Sequence, residues 1–221
     1  VLKRLPPSQA ERTLGIRLAP DGSWNDEYKY LLSQATKWAD NIRVAHLPHH
    51  LVRQSMMTTI MKTLEFPLSV TCFTKDQSEA LMKPILKAGL SRSGFVNNIP
   101  RELVYGTVSR QGLGYRHLYT ESGIQHITRL QRFTQDVKNN TTGELLRFNM
   151  QELKMMIGLN GIVTSHSYAM LGHLVDISYV QWTWKFLDEY GMRVVDDIPD
   201  LEFYRNGDHE LLMRCFLQAG Y

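Results

Sequence analysis

The sequence predicts a mainly α protein, a helical bundle preceded by a short β element, and three observations carry that expectation. Apolar residues recur at three- and four-residue intervals over most of the 221 positions. Residues that start and stop helices bracket those stretches. Strand-type alternation is confined to a few residues near the start, with a second short candidate at Arg193 to Val195. The composition, 43% hydrophobic and 21% charged, is that of an ordinary globular chain. At this length roughly 70% of the unfolded surface is buried on folding, so a core can form without cross-links.

The elements follow in order. Thr13 to Leu18 alternates weakly and meets Pro20, Asp21 and Gly22, so one short strand and a turn are expected over residues 1–22. Ser23 with Asp26 has the spacing of a capping box. Behind it Tyr28, Leu31, Leu32, Ala35, Trp38, Ala39 and Ile42 mark a helix of about five turns. Pro48 suits the first turn of a second helix with Leu51, Val52, Met56, Ile60 and Leu64 inward, ending near Phe66 because the residue before Pro67 avoids the helical region. Thr74 and Gln77 form a second capping-box signature ahead of Leu81, Ile85 and Leu86, and Gly89 is placed to end that helix.

Ser91 to Gly114 breaks down into Gly, Ser, Asn and Pro around a short element at Arg101 to Tyr105. Thr120 opens a helix carrying Ile124, Ile127, Leu130 and Phe133; Asn139 to Gly143 is loop-like by composition and a natural boundary. Beyond it lie a helix with Leu145, Leu146, Leu153, Met156 and Ile157 up to Gly158, a long one from about Val175 to Gly191, and a closing one from Glu210 to Leu217. Three regions result: 1–22, a helical domain over 23–138, and a helical connector over 139–221.

Cysteine usage and charge bound the function classes. Cys72 and Cys215 stand far apart with no CxxC, so neither a disulfide framework nor a structural zinc is indicated. No run of about 18 apolar residues could span a bilayer, and the first residues lack a signal-type stretch, so an intracellular chain, cytoplasmic or nuclear, is expected. Val1 in place of Met, and Tyr221 directly after a Gly, lead us to expect a piece of a longer protein. The net charge is +3 and the pI near 8.8, a mild basic bias that permits nucleic-acid contact without demanding it.

Catalytic signatures are absent: the chain carries no P-loop, HExxH, GxSxG or EF-hand pattern. Gly112 and Gly114 are half of a dinucleotide fingerprint, but Arg110 and Gln111 precede them where a buried strand belongs, so a turn is expected. His46, His49 and His50 form the densest imidazole cluster, but Pro48 starts a helix among them and no carboxylate is close in sequence. A polar interhelical turn explains them, with phosphate contact beside Arg53 the live alternative. Asp196 and Asp197 could hold a metal ion, but Ile198 and Pro199 follow directly, which removes the second strand of a catalytic hairpin. Trp182 and Phe186 read as core, with Trp184 exposed; a base-stacking platform is the alternative. Arg12, Arg17, Lys29, Lys37, Arg43, Arg53 and Lys62 thread the first strand and helical hairpin, either as a solvated face or as a track for duplex phosphates.

Several stretches in order carry a resemblance: Arg12 to Ile16, Gln34 to Ala39, Thr59 to Leu68, Val104 to Gly106, Gln111 to Gly114, Val180 to Leu187 and Arg205 to Met213. Together they resemble the region after the polymerase palm in reverse-transcriptase-like proteins of non-LTR retroelements, over most of the chain. The resemblance implies a helical thumb-like bundle after the strand that helps hold the primer end, followed by a connector. It implies contact with an RNA/DNA template-primer duplex through Arg12, Leu14, Gly15, Ile16, Arg17, Lys37, Arg43 and Arg53, the rest of the polyprotein being the other partner. No catalytic residue and no cofactor is expected in the chain itself, since the divalent metal belongs to a palm that the chain does not contain. A non-enzymatic helical interaction module, or an inactive relic of such an element, is the alternative.

Overall fold

The computed structural model describes residues 6–135, 141–158 and 163–194. It is mainly helical, with a two-stranded antiparallel sheet at the start. The closing helix expected at Glu210 to Leu217, together with Val195, Asp196 and Asp197, lies outside the described residues; Arg193 and Val194 belong to no strand.

The expected single strand is a hairpin. β1 (Glu11–Thr13) pairs with β2 (Ile16–Leu18), Thr13 opposite Ile16 and Arg12 opposite Arg17. The connection is two residues, Leu14 at φ 51° and Gly15 at φ 94°. Positive φ at both central positions is the tight turn whose twist matches that of the strands. Gly15 reaches it without strain.

Helix α1 (Asn25–Val44) buries Leu31, Ala35, Trp38, Ala39 and Ile42, as its period predicts. Its expected capping box is not made: Ser23 Oγ accepts from Asn25 N, while the Asp26 carboxylate turns back to accept from Ala10 N at 3.3 Å. Next comes a continuous rod: α2 (His49–Ser55), a π turn (Met56–Ile60) and α3 (Met61–Leu68). It runs through Pro67 rather than stopping before it, because Leu64, Pro67 and Leu68 are buried in the core and the Pro67 carbonyl closes the end by accepting from Val70 N and Thr71 N. Leu51, expected inside, is on the outside, while Val52, Met56, Ile60 and Leu64 are buried.

Helix α4 (Lys75–Arg92) begins with the predicted capping box: Gln77 N donates to Thr74 Oγ1 and Thr74 N to Gln77 Oε1. Gly89 does not end it. It lies buried against Trp38 and Met56, and the helix continues one turn to Arg92; its role is close approach of helices, and packing overrides its weak propensity. After α5 (Arg101–Tyr105), the loop through Gly112 and Gly114 returns as a turn, Leu113 N and Tyr115 N donating to the carbonyls of Leu103 and Val104.

Helix α6 (Leu118–Gln135) buries Leu118, Tyr119, Ser122, His126 and Leu130 and leaves Ile124 exposed. The buried face is thus rotated from the expected stripe, because Ser122 and His126 take part in it. Helix α7 (Thr141–Ile157) absorbs Thr141 to Gly143, expected as loop, with Leu145 and Met156 outward, and stops at Gly158 in the left-handed region. After α8 (Tyr168–Leu171), α9 (Tyr179–Glu189) starts later than Val175, where the Ser178 side chain accepts from Gln181 N, and ends before Gly191.

Two main clusters form the interior. Residues from α1 to the start of α6 make one, and Leu130, Leu146, Leu153, Val163, Val180 and Trp184 the other. Helices α6 and α9 tie them together: Tyr119, Trp182 and Phe186 pack at the junction, and Trp182 Nε1 donates to the Phe73 carbonyl at 2.9 Å.

Candidate nucleic-acid interface

The hairpin is mounted on α1 through one side chain. Glu27, 2% exposed, accepts from the Arg17 backbone N–H at 2.8 Å and faces the Arg17 guanidinium at 3.6 Å. The same guanidinium lies over the Tyr30 ring, 3.5 Å from its centroid. Gly15 abuts Phe66 of α3, whose ring a Cβ would meet at 3.2 Å. Arg17 is therefore an anchor rather than a free cation, while Arg12, directly across the hairpin, is exposed and has no ion-pair partner among the described residues.

The remaining expected residues separate in the same way. Leu14 is 93% exposed at the hairpin tip, and Ile16 is half-buried. Lys37 is exposed and unpaired among the described residues. Lys29 lies 4.0 Å from Asp26, Arg43 is held by Asp40 at 2.6 Å, and Lys62 by Glu65 at 2.9 Å. Arg53 donates to the Leu113 carbonyl at 2.6 Å and lies near the Tyr115 ring, so it supports the loop after α5. Lys37 and Arg43, six residues apart, are separated by roughly 120° around the helix axis. Among the described residues these basic side chains thus form no continuous track, and Arg12, Leu14 and Lys37 are the expected residues left exposed without a partner.

The histidine cluster is not an interhelical turn alone: His46 precedes α2, while His49 and His50 are its first two residues. His49 Nδ1 donates to the Arg92 carbonyl at 2.9 Å, and Arg92 in turn donates to the Ala45 carbonyl at the end of α1. No group of three metal-ligating side chains occurs among the described residues. The aromatic platform does not exist either: Trp182, Trp184 and Phe186 are all buried, and Trp184, expected outside, is 0% exposed with its Nε1 donating to the His166 carbonyl. Helix α9 is enclosed on nearly all sides by α6, α7 and α8, so both halves of its circumference are interior.

Three features escaped the sequence reading. Glu27 lies four residues before Leu31 on the buried stripe of α1, and a charge on that stripe was the available signal. His126 is buried at the junction, stacked on Tyr179 at 4.2 Å, with Nε2 donating to the carbonyls of Leu68 and Thr71. Burial holds it neutral, its pKa lowered to about 4; its fixed chain neighbours gave no hint of this. Finally, a groove of about 800 Å³ opens between α4, α5 and α6, lined by Lys75, Glu79, Lys83, Arg101, Tyr105 and His117 among others. Its three cations face Asp76, Glu79 and Glu102, so its balance favours neither an anion nor a cation. No helix of the described residues is long and apolar enough to cross a membrane.

No protein-family model, no curated protein and no solved structure matches the chain.

Proposed function

We propose that the chain is the thumb and connector of a retroelement reverse transcriptase and that it contacts the template-primer duplex through the hairpin tip and the outer face of α1. The observation that carries this reading is the hairpin itself: a tight, braced β element on a helical bundle, exposing Leu14 and the cation Arg12, which has no ion-pair partner among the described residues. Backbone contact by Lys and Arg needs no base-specific geometry and no catalytic carboxylate, so a few positioned cations suffice. The ordered stretches from Arg12 to Leu187 that resemble this polymerase region support the same assignment.

The test is affinity for a short RNA–DNA hybrid by fluorescence anisotropy, comparing Arg12→Gln and Lys37→Gln with Arg43→Gln. The first two should each weaken binding and lower the salt slope by about 1, the mark of one lost phosphate contact. The Arg43 change should do neither, because that cation already pairs with Asp40. Equal effects at all three positions would refute the assigned face.

A second reading, a helical protein-interaction module, draws on one observation. Helix α7 buries Leu146 and Leu153 but turns Leu145, Phe148, Met155 and Met156 outward. Such an apolar face on a helix suits a protein partner. If it serves one, Phe148→Glu will abolish that association and leave hybrid affinity unchanged.

A further inference from the structure

Glu27 is a buried charge that the duplex contact itself does not use. Its carboxylate is committed to one element: the Arg17 backbone amide at 2.8 Å and the Arg17 guanidinium at 3.6 Å. Burial of a carboxylate is costly unless it is paired and hydrogen-bonded, and here both partners come from β2. Arg12 and Arg17 stand directly opposite each other across the hairpin, a like-charge pairing that by itself disfavours the strands. Glu27 offsets that repulsion from the Arg17 side. The Tyr30 ring under the same guanidinium and the Asp26 carboxylate on Ala10 N add to the same attachment, all from the first turns of α1.

We propose that Glu27 is a positioning residue: it clamps the hairpin to α1 so that Arg12 and Leu14 are presented to the duplex at a fixed position on the helix that also carries Lys37. The consequence is that the hairpin travels with the helical bundle when the bundle moves. A hairpin of two three-residue strands is marginal by itself, so without the clamp its tip has no fixed position relative to α1. The effect on affinity rests on the duplex-contact reading above, whereas the clamping can be read without any ligand.

The experiment uses the whole chain with Glu27→Ala and Glu27→Gln, reading amide hydrogen exchange and hybrid affinity on the same samples. Glu27→Ala should strip protection from the Arg17 amide and the hairpin pairs while α1 and α4 stay protected. It should weaken the hybrid roughly five- to tenfold at 0.1 M salt, the loss of about one phosphate contact, with no further loss when Arg12→Gln is added. Glu27→Gln, which keeps an oxygen acceptor for the Arg17 amide but loses the charge that offsets the Arg12–Arg17 repulsion, should fall between Glu27→Ala and the wild type in both hairpin protection and affinity. Unchanged hairpin protection in Glu27→Ala overturns the proposal, and so does full affinity despite lost protection. A wild-type chain that ignores the hybrid at every salt concentration sinks the duplex contact and the presenting role with it, while the exchange data still decide whether Glu27 clamps.

Discussion

Leu14 is placed where chemistry disfavours it. The first central position of a two-residue hairpin turn requires positive φ, which Asn, Asp and Gly adopt readily and a bulky side chain does not. The side chain recovers little among the described residues, being almost wholly exposed. Leu14→Asn should therefore raise the melting temperature slightly, by the equivalent of up to about 1 kcal/mol, and weaken hybrid binding; a variant that gains stability and loses no affinity would remove Leu14 from the interface. His126 gives a second prediction at this scale. The folded chain holds its pKa near 4, below the ordinary 6.5, because burial disfavours the charged ring. Between those values the unfolded chain takes up a proton that the folded chain refuses. Stability from this residue is thus complete above about pH 6.5 and falls as the pH drops towards 4, by an amount of order 3 kcal/mol. Urea midpoints measured from pH 7 to 4 should fall steeply in the wild type and less so in His126→Gln.

Elements were legible where a helix has one wet and one dry side. The stripe of α1 and the capping box of α4 could be read residue by residue, since period and cap chemistry act locally. Others depended on neighbours that only the fold supplies. Gly89 carries a stop signal locally but serves as a contact point for Trp38 and Met56. Pro67 looked like an end, yet burial of Leu68 draws the helix past it. In α6 the dry side includes Ser122 and His126, polar residues bonded to carbonyls at the end of α3, so an apolar pattern alone pointed at Ile124 instead. The α6–α9 junction is correspondingly exacting. A Cβ at Gly123 would fall within the Phe186 ring, so Gly123→Ala should cost about 2 kcal/mol or more by overpacking, against a small helix-propensity gain. A thermal melt of that variant at or above the wild-type midpoint would show that the helices have room to separate.

Across the whole molecule, sequence conveyed class better than surface. The mainly helical build with its β start follows from period and composition, but which cations are free is a property of side-chain partners distant in sequence. Arg53 is occupied by Leu113, 60 residues away, and Arg17 by Glu27. That sorting reduces seven threaded cations to Arg12 and Lys37 at the proposed face, a modest footprint whose binding should be real at low salt and weak at physiological salt. Affinity of the wild-type chain for an RNA–DNA hybrid at 50 and 200 mM salt tests this most directly. Binding should be measurable at the lower concentration and fall with a log–log slope of about 2 in magnitude, two phosphate contacts' worth. No binding at 50 mM, or an affinity indifferent to salt, would contradict it.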